Sequence, residues 1–223
     1  PVPRAWPDPE RLEQILALVK AAERPVIIGG HGIWWSGGEA ALSAAGTKLR
    51  MPVFNVPYHT KILDESCDAY IGLADFHQFH PSKPAIHEAD LVLMVGCRLD
   101  NQMNFGNPPF IQPETKLVCV NGSHEELDYN VGADLQLLSD PGAFLTALAQ
   151  VDKTFDGWLN RQRKRRADWV SEWSAHIATE TAQDAVKGRK MHPLQLALDV
   201  QAAMKDDDWL VFDGGNTHFW NEI

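Results

Sequence analysis

Three groups of residues have the types and the spacing to do chemistry, and each follows an apolar run. The first is Gly29-Gly30-His31-Gly32 with Ser36-Gly37-Gly38 behind it, the second is Arg98 and Asp100 after residues 91–96, and the third is Asp213-Gly-Gly-Asn216-Thr217-His218 after residues 209–212. Glycines at the end of a strand let the backbone pass close to a phosphate, and a helix N-terminus beyond them offers free N–H groups. Asn216 and Thr217 supply polar donors for an anion, or serve as caps of a simple strand-to-helix turn. The first turn is not a full G-x-G-x-x-G. It reads equally as a phosphate cradle and as a tight connection that binds nothing.

Other reactive types carry less. His77, His80 and His87 fit no strong zinc spacing and have no cysteine beside them, so no metal site is expected. No G-x-S-x-G elbow is present, which leaves hydrolase chemistry without support. Cys97 and Cys119 sit in apolar runs, Cys67 stands apart, and the absence of C-x-x-C spacing predicts three free thiols.

The elements that must hold these groups alternate. After a proline-rich lead-in over residues 1–9, Leu12, Ile15, Leu16, Leu18 and Val19 recur at helical spacing, with Asp8 as cap ahead of Pro9. Residues 26–28 read as a buried strand, and a helix is expected from near Ser36 through Leu49. Residues 52–56 form a second strand, 70–84 an irregular segment, and 85–90 part of a short helix. Residues 91–96 are the strongest strand, apolar throughout and so buried on both faces. Residues 117–121 form another, 135–138 a short edge strand and 141–151 a closing helix. This pattern predicts an α/β fold, a doubly wound parallel sheet with flanking helices of Rossmann-like type.

Beyond Asp152 the character changes. Trp158, Trp169 and Trp173 lie among Arg161, Arg163, Lys164, Arg165 and Arg166, predicting a long helix or helix pair. Its basic cluster reads as a solvated face, with phosphate contact as the alternative. A break at Gly188, a helix from Pro193 and a strand over 209–212 would then open a second α/β domain, with the expectation that the chain is part of a longer polypeptide. The expected division is a linker at 1–9, a domain at 10–150, a helical linker at 151–189 and the start of another domain at 190–223.

Composition excludes whole classes. Of 223 residues, 44% are hydrophobic and 22% charged, as in ordinary globular proteins, and the formal net charge of −10 opposes binding to nucleic acid or an anionic membrane. No apolar run is long enough to span a bilayer and no signal-peptide pattern opens the sequence, so a cytoplasmic location is expected.

Taken in order, Pro25-Val-Ile-Ile-Gly-Gly-His-Gly with Ser36-Gly37, Pro52-Val53, Gly72 with His77, Ala89-Asp90-Leu-Val-Leu-Met-Val-Gly96 with Arg98 and Asp100, and Val131-Gly132 with Asp134 resemble the central domain of thiamine-diphosphate-dependent enzymes of the acetolactate synthase type. The resemblance runs over residues 10–150, and residues 190–223 look like the start of that family's C-terminal pyrophosphate-binding domain. It implies a parent enzyme that uses thiamine diphosphate and Mg²⁺ to form or cleave carbon–carbon bonds beside a carbonyl, commonly on 2-oxo acids, as a lyase or transferase. It also implies a small-molecule substrate, further N- and C-terminal domains as partners, and a homo-oligomer.

Residue by residue, Asn216 and Thr217 match positions that help hold the cofactor's diphosphate. Gly30, His31 and Gly32 match a loop that approaches the dinucleotide in flavin-containing members, and Arg98 and Asp100 match the segment after the next strand of that site. Gln102 and Asn121 stand where a basic and an acidic residue are expected. Loss of the acid removes the partner of a ribose hydroxyl and counts against FAD. The family's catalytic glutamate and its metal-binding Gly-Asp-Gly belong to segments outside these residues, so no catalytic residue is assigned here and the fragment alone is expected to be inactive. The expected role is structural scaffold; the alternative is a free-standing FAD-, ADP- or NAD-binding module.

Overall fold

The computed structural model describes residues 4–57, 62–77, 82–127, 129–187, 191–205 and 207–211, with side chains at 181 and 183–187 left aside. The chain divides into two compact units, Pro1–Arg166 and Ala167–Ile223.

The first unit is a six-stranded sheet in which every neighbouring pair is parallel. The strands are β1 (Pro25–Gly29), β2 (Val53–Asn55), β3 (Tyr70–Leu73), β4 (Leu91–Val95), β5 (Lys116–Asn121) and β6 (Leu135–Leu138), in spatial order β3-β2-β1-β4-β5-β6. β1 and β4 lie at the centre and every residue in both is buried, which is why they read as unbroken apolar runs. Ile28 sits in register with Phe54 on one side and Met94 on the other. The helices on the sheet include α1 (Pro9–Ala21), α2 (His31–Trp35), α3 (Glu39–Leu49), α4 (Ser82–Glu88) and α5 (Pro141–Leu148). Asp8 caps α1 by accepting from the Arg11 amide, and Asp140 caps α5 by accepting from Ala143, each ahead of a first-turn proline. Asp90 joins the edges of two strands: its carboxylate accepts from the Glu23 and Arg24 amides at 2.8 and 2.9 Å.

Three local expectations change. The helix anticipated from near Ser36 starts at Glu39 as α3, and the short α2 occupies the glycine turn before it, because Gly37 turns the chain with φ of +63° and Gly38 closes on Gly142 of α5; Ser36 is a tie, its Oγ donating to Ile33 O and accepting from Gly142 N. The segment expected to be irregular opens with β3. Gly72, with φ of +147°, sits where the β2–β3 register shifts between Val53 and Phe54, so a residue that reads as a breaker lets the edge strand keep pairing. The strand expected at 209–212 is not formed over 209–211, since a strand needs a hydrogen-bonded neighbour and none is present among the described residues. Phe212 lies outside them, as does the break expected at Gly188.

A single helix, α6 (Asp156–Lys187), replaces the alternative of a pair, and its first eleven residues belong to the first unit. There the basic cluster is largely exposed, as a solvated face is, and is tied to the first unit by ion pairs. Arg161 and Arg165, one helical turn apart, each contact a carboxylate oxygen of Glu88 at 2.5 Å, Arg163 pairs with Asp68 at 3.1 Å, and Arg166 lies over the Tyr70 ring at 5.0 Å. Trp158 is buried beside them and its Nε1 donates to Pro25 O at 3.0 Å. In the second unit the aromatic stripe continues as Trp169, Trp173 and His176 along α6, with His192 beside His176 capping α7 (Pro193–Ala203).

Candidate functional site

At β1 and β4 the sheet winds outward in opposite directions, and crossovers on opposite sides leave a crevice beyond the strands' carboxyl ends. A cleft of about 430 Å³ occupies that place. Of the residues singled out in the sequence, His31, Gly32, Arg98, Asp100, Gln102 and Asn121 line it together, contributed by the ends of β1, β4 and β5. Gly30 lies in the wall behind. Asn216 and Thr217 fall outside the described residues.

The glycine turn is shaped by packing. Gly30 N donates to Val95 O at 2.9 Å and Gly32 N to Gly96 O at 2.8 Å, so both amides are committed to the end of β4 and the turn after it. A Cβ on Gly30 would lie 2.3 Å from Cys97 Cβ, and one on Gly32 would lie 2.7 Å from Gly96 Cα. Gly96 itself has φ of +65°, and a Cβ there would lie 2.7 Å from Ile33 N. These glycines exist because two turns interlock with no room for a side chain.

The polar side chains are likewise engaged with one another. Asp100 caps the 3-10 turn Asn101–Gly106 by accepting from Gln102 N at 3.1 Å. Asn121 donates to Cys97 O and accepts from Ser123 N, a pair of bonds that an aspartate could not make because a carboxylate only accepts. Arg98 Nε meets Glu126 Oε2 at 2.8 Å, and its guanidinium lies 5.5 Å from the Tyr129 ring. On the other wall His31 and Trp35 stack with centroids 6.0 Å apart and planes at 21°, and Trp35 is 77% exposed. Burial pushes the Cys97 thiol well up and the Cys119 thiol to about 12, so neither is a thiolate nucleophile at neutral pH.

Glu126 and Trp35 were not anticipated. Nothing local separates Glu126 from Glu125, and Trp35 lies within the glycine-rich turn without a feature of its own; only the fold brings both to the cleft. His77 lies elsewhere, its Nε2 donating to Asn101 O at 3.0 Å, and His87 meets Pro109 O and Gln112. His80 is outside the described residues, and among the described residues no three His, Cys, Asp or Glu side chains are grouped to hold a metal ion.

Known proteins share this architecture. The family model for the central domain of thiamine pyrophosphate enzymes matches residues 12–148. The acetolactate synthase large subunit of Lactococcus lactis subsp. lactis (strain IL1403) is 28% identical over 172 residues, covering 75% of this chain and 30% of that protein. The 2-hydroxyacyl-CoA lyase 1 of Homo sapiens is 24% identical over 205 residues, covering 90% of this chain and 34% of the lyase. The structure of a thiamine diphosphate-dependent 4-hydroxybenzoylformate decarboxylase from Rhodococcus jostii RHA1 shares the fold with a TM-score of 0.59 at 19% identity, over 69% of this chain and 29% of that one. The chain thus spans about a third of the length of these relatives. With the matched segment covering the parallel sheet from α1 to α5, the chain belongs to the thiamine pyrophosphate enzymes and carries their central domain.

Proposed function

We propose that this chain is the central part of a thiamine diphosphate- and Mg²⁺-dependent enzyme that forms or cleaves a carbon–carbon bond beside the carbonyl of a 2-oxo acid or related substrate, and that its domain is scaffold. The observation that carries the scaffold role is the engagement of the Gly30 and Gly32 amides: two donors that a phosphate would need hold the glycine turn to the end of β4 and its turn instead. The relatives' names, a synthase, a lyase and a decarboxylase, support the reaction class but not one product.

Bound thiamine diphosphate supplies a thiazolium that stabilises a carbanion next to the former carbonyl. The described residues of this chain do not fit that group, since the cleft offers no metal-binding set and its carboxylates are occupied by Arg98 and by the Gln102 amide. Asn216 and Thr217 are proposed to contact the diphosphate from the domain that begins at 190, with metal and catalytic acid supplied by other domains of the same polypeptide and by a homo-oligomeric arrangement. What these residues do is position those domains. Three free thiols accord with a reducing compartment, and the cytoplasm is the proposed location; no helix among the described residues is long and apolar enough to cross a membrane.

A second reading, an FAD-, ADP- or NAD-binding module, is favoured by the cleft's place at the switch point and by the stacked His31–Trp35 pair. Calorimetric titration of the 223-residue chain with FAD, ADP, NAD and thiamine diphosphate plus Mg²⁺, beside an assay of 2-oxo acid consumption by the complete gene product, separates the two. The scaffold reading expects no heat from the chain and turnover by the gene product only with cofactor and metal. Micromolar binding of an adenine nucleotide by the chain would favour the module instead.

A further inference from the structure

Arg98 is placed where an anionic ligand of the cleft would meet a cation, yet its Nε already holds a carboxylate oxygen of Glu126 at 2.8 Å. Both residues line the cleft, one from the turn after β4 and the other from the 3-10 turn His124–Glu126 after β5. Asp100 also lines it, so the lining carries one arginine and two carboxylates in a protein whose net charge is already −10. An incoming phosphate would meet a guanidinium whose charge is already matched by Glu126, with that carboxylate repelling it, and would find Gly30 N and Gly32 N committed to β4 and its turn. The aromatic wall, by contrast, is open through Trp35.

We propose that Glu126 determines the cleft's ligand specificity by serving as an internal anion on Arg98, barring nucleoside phosphates from a crevice that otherwise has the shape and the aromatic wall to take them. The inference rests on the scaffold reading and supplies its chemical cause. Replacing the carboxylate by an amide removes the charge and frees a guanidinium that forms charge-assisted hydrogen bonds with phosphate oxygens.

The test is titration of ADP into the 223-residue wild-type chain, E126Q and the double variant R98M/E126Q, with inorganic pyrophosphate as competitor. E126Q is expected to bind ADP about tenfold or more tightly than wild type, competitively with pyrophosphate, and R98M/E126Q to lose that gain. Equal or weaker binding by E126Q would overturn the proposal, because Glu126 would then be neutral or would orient Arg98 for a ligand. A gain that survives in R98M/E126Q would overturn it too. If neither E126Q nor E126A folds, Glu126 is a structural residue and the proposal fails. The wild-type arm judges the scaffold reading separately: micromolar ADP binding there defeats that reading whatever the variants do.

Discussion

At the scale of single residues, the glycines of the cleft are explained by distances. A Cβ at Gly30 has Cys97 Cβ at 2.3 Å and Gly96 O at 2.6 Å, neither of which is the free end of a flexible side chain. Gly30→Ala is therefore expected to lower stability by about 2–3 kcal/mol, the cost of overpacking a close-packed site, read as a fall in the urea midpoint at constant slope. Gly157, in the first turn of α6, has nothing within 4 Å of its Cβ position, and Gly157→Ala should raise stability by about 0.5 kcal/mol in the same experiment. Asp134 makes a pH prediction. Burial raises its pKa, but the Leu117 amide and the Lys116 hydrogen bond and charge together outweigh burial and leave it below the ordinary value of 3.8. A depressed carboxylate contributes stability that is present above its unfolded pKa and is lost as pH falls through the folded one. Asp134→Asn should thus flatten the acid limb below about pH 4 in pH-dependent melts, while wild type falls steeply there.

At the scale of elements, the first turns of α6 are joined to the sheet by one buried indole and a row of arginines. Trp158 Nε1 donates to Pro25 O at the start of β1, so Trp158→Phe keeps most of the apolar contact and leaves that carbonyl without the indole donor. The expected cost is about 1–2 kcal/mol. Glu88 receives Arg161 and Arg165 with both oxygens, but its side chain is 29% exposed and that of Arg161 is 53% exposed. Such pairs are partly screened, and Glu88→Gln should cost only about 0.5–1 kcal/mol, shrinking in 1 M salt. A larger effect for Glu88→Gln than for Trp158→Phe in parallel urea melts would reverse this ranking. The arginines illustrate where sequence reading stops. Their run of positive charge was plain, but their partners come from α4 and from the β2–β3 connection, and pairing across 73 to 101 residues leaves no local mark.

At the scale of the molecule, the first unit ends at Arg166, inside α6, and contains the whole parallel sheet. Residues 1–166 expressed alone, with Trp6, Trp34 and Trp35 replaced by Phe so that Trp158 is the one fluorophore, are expected to unfold in one cooperative transition, with its fluorescence and far-ultraviolet dichroism giving coincident midpoints. Divergent midpoints would mean that the remainder of α6 is needed to seat Trp158. Within that unit the family's architecture is retained, and the cleft of about 430 Å³ carries the Arg98–Glu126 ion pair on its lining.

Unbroken apolar runs determined β1, β4 and β5, because a strand covered on both faces has no polar side to show, and Asp8-Pro9 and Asp140-Pro141 determined where α1 and α5 begin. The glycine pattern at 29–32 was equally visible in the sequence, but its reason was not. A glycine required by a phosphate and one required by a neighbouring turn are the same letter, and only the approach of Gly96 to Gly32 distinguishes them. The sheet order, the pairing of Gly72 into β3 and the meeting of Arg98 with Glu126 were likewise decided by tertiary structure. Each depends on which segments the crossovers bring side by side, and that is a property of the whole chain rather than of any stretch of it.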